Sequence, residues 1–83
     1  MNKEKKVWEN MAASIIHAEI KSRGLKHSDL IEKLATIGVE ETKAALRTKL
    51  SRGTFSAVFL LQCLMVLDVD HISIKDLMRK WNI

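Results

Sequence analysis

Three glycines, at positions 24, 38 and 53, each stand directly after a run whose apolar residues recur at helical spacing, and no proline interrupts any run. Glycine adopts the left-handed conformation that closes a helix without a steric penalty, so this punctuation cuts the chain into successive helices. The first run, from about Lys3 to Arg23, places Trp8, Met11, Ala12, Ile15, Ile16 and Ile20 along one side. Lys21 and Arg23 complement its carbonyl end before Gly24.

Beyond the link Leu25-Lys26-His27, Ser28 is placed to cap a second helix with Asp29 in its first turn, and Leu30, Ile31, Leu34 and Ala35 form its inner stripe. Glu40 and Glu41 supply negative charge at the start of a third helix, which runs to Ser51-Arg52 and stops at Gly53. Thr54 or Ser56 starts a fourth, apolar nearly all round from Ala57 to Leu67. A helix with so little polar face sits centrally or is covered by a partner chain. Ser73-Ile74-Lys75-Asp76 has the pattern of a capping box with Asp in place of Glu, and Ile72 with Leu77 supplies the hydrophobic staple of a fifth helix reaching about Trp81. Strand patterns, repeats and linkers are absent. The expected fold is all-α, a compact five-helix bundle forming a single domain over residues 1–83, with Trp8 and Trp81 in its core and residues 1–6 as a frayed basic arm.

The hydrophobic share of 47% supports a core in so short a chain, and 29% charged residues argue against disorder and against a membrane protein. Cys63 is the single cysteine, so no internal disulfide forms, and the expected compartment is the reducing cytoplasm. No secretory signal and no membrane-spanning run is evident. His17, His27 and His71 are dispersed, which gives no metal site, and three glycines in all leave no phosphate loop and no nucleophile elbow. An enzyme, a cofactor and a small-molecule substrate are therefore not expected.

Charge is distributed unevenly. From Thr42 to Leu67 there are 26 residues without one Asp or Glu, and Lys43, Arg47, Lys49 and Arg52 in the first part of that window match the whole formal net charge of +4. At 100° per residue, Thr42, Leu46, Leu50 and Gly53 fall on the docking side of the third helix. Ala44, Thr48 and Ser51 form a small-residue crest opposite, between Arg47 and Arg52, with Lys43 and Lys49 nearer the docking boundary. Such a helix approaches a major groove closely, with guanidinium forks in reach of guanine edges or phosphates.

The stretch HSDLIEKLATIGVEETKAALRTKLSRGTFSAVFLLQCLMVLDV resembles the phage-repressor-like helix-turn-helix domains of the Cro and lambda repressor type. It is similar, more closely, to a small uncharacterised bacterial family sharing the Gly-Val-Glu-Glu-Thr and Ser-Arg-Gly-Thr-Phe-Ser stretches and a fourth helix of Phe-Leu-Gln-Cys-Leu character. The likeness covers roughly residues 16–67 and rests on the Leu30/Leu34 stripe and the Arg52-Gly53 pair. The link from Ala35 to Glu41 is longer than the tight turn of that type, and Leu46 and Leu50 are spaced by four where three is usual.

The resemblance implies sequence-specific binding of double-stranded DNA by a transcriptional regulator, with the segment 42–52 in the major groove. Lys43 and Lys49 would meet phosphates, and Arg47, Thr48, Ser51, Ala44 and Arg52 would read bases. His27 and Ser28 at the start of the second helix, and Thr54 and Ser56 at the start of the fourth, would touch the backbone. A homodimer is expected, with its seam on the fourth or fifth helix. The rival reading is a protein-interaction module, an adaptor or antitoxin-like subunit, that sets the same basic helix against an acidic partner; RNA binding ranks third, since few aromatics are free to stack bases.

Overall fold

The computed structural model describes residues 2–82. Five helices occur in the order α1 (Asn2–Ser22), α2 (His27–Ala35), α3 (Lys43–Arg52), α4 (Ala57–Val66) and α5 (Ile74–Lys80), with no strand among the described residues. The longest dimension of the molecule, 36 Å, belongs to α1, whose 21 residues rise about 32 Å. That helix is the spine against which α3 and α4 pack, while α2 lies against both α3 and α4.

One rule of spacing builds the core. Ile16 and Ile20 of α1, Leu30 and Leu34 of α2, Leu46 and Leu50 of α3, and Phe59 and Cys63 of α4 are all buried, each pair four residues apart, and Leu67 continues the α4 ladder. Residues four apart lie one above the other on a helix face, so each helix presents a two-rung stripe to the same centre. The spacing of four at Leu46 and Leu50 is thus the common register of this core. No residue of α5 is buried, so the bundle has four core helices and a fifth at its periphery.

Helix ends repeat a second pattern. At the end of α1 the Leu25 amide donates to the Ile20 carbonyl and the Gly24 amide to Lys21; Val39 and Gly38 bond Leu34 and Ala35 in the same way after α2, and Val69 and Asp68 bond Leu64 and Met65 after α4. This is the Schellman arrangement, in which a left-handed residue is followed by an apolar anchor. Leu25, Val39 and Val69 are those anchors, each packed against the core. At α4 the left-handed position, φ +60°, is taken by Asp68 where the others have glycine.

Helix starts correct one expectation. Thr42, Ser56 and Ser73 cap α3, α4 and α5, their hydroxyls accepting from the amides of Ala45, Phe59 and Asp76. Ser28 does not cap α2. That helix opens two residues earlier, with Lys26 at the cap and its amide donating to the Asp29 carboxylate at 2.7 Å. A carboxylate three residues on captures the free amide better than a hydroxyl inside the first turn. At α5, Asp76 receives the Ser73 cap but gives its own carboxylate to Arg79.

Three further expectations change. From Asn2 on, the anticipated arm over residues 1–6 is the opening of α1, and Met1 lies outside the described residues. Trp8 is 56% exposed although the buried stripe of α1 already includes Met11 and Ala13, and the end of α3, where Gly53 faces the Glu9 backbone, is the neighbour near its level. Trp81 is half-buried. α4 is not enclosed all round: Phe59 and Cys63 point inward, whereas Val58, Leu61 and Met65 are 63%, 66% and 60% exposed. Among the described residues, no helix is long and apolar enough to cross a membrane.

Candidate functional site

α3 is locally well specified. Its first turn is capped by Thr42, Lys49 and Arg52 stand at its negative end, and the Gly53 amide closes it on the Lys49 carbonyl at 2.8 Å. Gly53 serves a second purpose. A Cβ there would come within 2.1 Å of the Glu9 carbonyl oxygen, so the absence of a side chain lets the end of α3 seat directly on the α1 backbone. With Leu46 and Leu50 inward, the rotation of α3 about its axis is fixed.

That rotation exposes Lys43, Ala44, Arg47, Thr48, Ser51 and Arg52 together. Among the described residues, neither Arg47, Arg52 nor Lys43 forms an ion pair. The Thr48 hydroxyl donates to the Ala44 carbonyl at 3.1 Å, which commits its proton to the helix and leaves its lone pairs outward as acceptors. From α1, the Lys6 ammonium reaches to 3.5 Å from the Ser51 carbonyl and extends the cationic surface past the end of α3. The sequence reading places Lys6 in a frayed basic terminal arm; its place here depends on how the two helices cross.

Lys49 departs from its expected role. Its ammonium pairs with the Glu41 carboxylate at 2.6 Å and lies 4.6 Å from the centre of the Phe59 ring, within cation–π range. The Glu41 side chain is only 5% exposed and that of Lys49 38%, so Lys49 stays partly in solvent while its ammonium neutralises a nearly buried acid. Cys63 lies in the same electrostatic neighbourhood: burial first, then the Glu41 carboxylate, push its thiol up to about 12 against the opposing effect of Lys49. It is a buried apolar packing group.

The remaining expected contacts are dispersed. Ser28 and Thr54 are exposed, and the exposed Ser56 spends its hydroxyl acceptor on the Phe59 amide. His27 is half-buried with its ring 5.8 Å from that of His17, a proximity the sequence separation concealed. Burial, followed by the neighbouring His27, lowers the pKa of His17. His17 lies eight residues along α1 from Glu9, about 12 Å by helical rise, so the start of α2 and the end of α3 meet the spine at separate levels. No group of three or more residues suited to holding a metal occurs among the described residues.

Shallow depressions flank α3 on both sides, one lined by Lys5, Trp8, Glu9 and Gly53, the other by Ile31, Ala35, Glu40 and Thr42. The architecture is that of a small all-α domain in which one helix displays Lys43, Arg47 and Arg52 without an ion pair among the described residues. The chain belongs to the family described as Domain of unknown function (DUF6471), which matches residues 8–72. The matched stretch holds the four core helices' buried pairs and ends before α5. Comparison with curated proteins and with solved structures gives no match.

Proposed function

We propose that this protein binds double-stranded DNA through the outward face of α3, as a transcriptional regulator of the helix-turn-helix kind. One observation carries the reading: Arg47 and Arg52 flank the small residues Ala44, Thr48 and Ser51 on a single exposed face, and among the described residues no carboxylate is paired to either arginine. Exposed helices ordinarily mix signs to gain pairs worth about 0.2–0.5 kcal/mol each, and this face forgoes them. A polyanion supplies the missing counter-charge. Small side chains at the crest allow the backbone to come close to base edges, where Arg47 and Arg52 offer bidentate donors and Thr48 an acceptor. Lys43 and Lys6 act on phosphates, and Lys49 serves the fold.

Binding of a random-sequence duplex, followed by fluorescence anisotropy across salt concentration, tests this directly. On a random-sequence duplex, which presents no selected bases, Arg47 and Arg52 join Lys6 and Lys43 on phosphates, and the four contacts predict a log-log slope of roughly −3 to −4, at about −0.9 per neutralised phosphate. Replacing both Arg47 and Arg52 by Ala lowers affinity and flattens the slope. Weak binding with no dependence on salt, unaltered in the double variant, overturns the reading in favour of an acidic protein partner.

A further inference from the structure

The exposed side of α4 is the most anomalous surface of the molecule. Within α4, Val58, Leu61 and Met65 are all exposed and follow one another at spacings of three and four, flanked by the exposed Thr54 before the helix and Asp68 after it. Three and four are the alternating spacings of a helix–helix seam, here with an apolar centre and polar ends. The three central side chains are each at least 60% exposed, and next to them Leu64, Val69 and Ile72 help line a shallow groove of about 400 Å³. Contiguous apolar surface of this kind marks an interaction site.

Charge identifies what covers it. No residue from Thr54 to Leu67 is charged, so a molecule carrying a net +4 meets a second copy of itself there without opposing like charges. The ends of the stripe select the orientation. Asp68 and Asp70 follow the carbonyl end of α4, where a negative charge works against the helix's own dipole. Beside an antiparallel α4 from another molecule, the same carboxylates lie next to the amide end of that helix, where negative charge is favoured.

We propose that two copies associate through α4, antiparallel about a two-fold axis passing near Leu61, with Asp68 of each copy at the start of α4 in the other. The interface is isologous, so Val58 of one copy faces the Met65 end of the second and the reverse holds by symmetry. The inference stands apart from the DNA reading, because it uses a different helix and needs no nucleic acid.

Sedimentation equilibrium over a range of protein concentration tests it. The wild type gives a monomer–dimer equilibrium. Leu61→Asp, at a position already open to solvent, keeps the helical circular dichroism and weakens association by at least about thirtyfold, the loss typical of a central hot spot. Asp68→Asn is the discriminating variant. It weakens association by about two- to fivefold for each of the two symmetric contacts, yet raises the melting temperature of dilute monomer by removing the charge that opposes the α4 dipole. With Cys63 replaced by Ala, a Leu61→Cys variant cross-links to itself under oxidation. A wild type that stays monomeric, a dimer indifferent to Leu61→Asp, or an Asp68→Asn variant that associates more tightly overturns the proposal.

Discussion

α3 and α4 are successive helices of ten residues each, joined by the short link Gly53–Ser56, and both dock by two buried residues spaced four apart. Their outward faces are opposite in chemistry: six exposed polar, cationic or small residues on α3, and Val58, Leu61 and Met65 on α4. The inward spacing alone is what folding demands of each helix, and it is satisfied equally by both. What remains on the outside is free of that demand, so the difference between the two faces reports two different tasks.

If docking is equivalent and only the outer faces differ, substitutions at inner positions should dominate stability. Leu46→Ala, at a fully buried site, costs about 2–5 kcal/mol in urea unfolding, whereas Arg47→Ala one residue later changes stability by less than about 0.5 kcal/mol. A loss of comparable size at Arg47 would break the distinction between inner and outer positions. The seat of α3 on α1 gives the next largest effect. Gly53→Ala incurs the left-handed penalty of about 1–2 kcal/mol and must also displace the Glu9 backbone. Gly38→Ala meets nothing within 4 Å and incurs the backbone penalty alone, so thermal denaturation ranks Gly53→Ala as the more damaging.

Lys49 sharpens the comparison because it is the one cation of α3 that serves the inside. Lys49→Met leaves the Glu41 carboxylate unpaired and lowers stability by roughly 1 kcal/mol, moderated by the solvent that reaches Lys49. Its effect on DNA affinity is smaller than that of Arg47→Ala. The smallest effect is on pH dependence. His17 has a lowered pKa in the fold, so between that value and its ordinary 6.5 the unfolded chain binds more protons than the native one. Stability therefore falls as pH drops through this window and is fully present above 6.5. His17→Gln flattens that part of the profile, read from melting temperatures on either side of the window.

Much of this organisation is legible in the chain. Leu46 and Leu50 fix the rotation of α3 by periodicity, and the glycines at 24, 38 and 53 mark helix ends because few other residues take a positive φ. The apolar residue after each stop at Leu25, Val39 and Val69 is an equally readable signal, and it would have shown Asp68 to be a stop of the same type. Non-local geometry is where periodicity fails. The Lys49 ammonium is directed onto Glu41 and Phe59, which converge beside it from other segments, and the exposure of Trp8 depends on how the end of α3 meets α1 at Glu9. The meeting of His17 with His27 likewise depends on where α2 crosses α1. The exposed stripe on α4 was hidden by an apolar sequence with no polar side to betray its orientation.

Amide chemical-shift mapping of isotopically labelled protein titrated with a short random-sequence duplex tests the central claim most directly. The account predicts perturbations concentrated at Lys43, Ala44, Arg47, Thr48, Ser51 and Arg52, with Val58, Leu61 and Met65 unmoved at a fixed state of association. Perturbations centred on α4, or a spectrum unchanged by DNA at low salt, would contradict it.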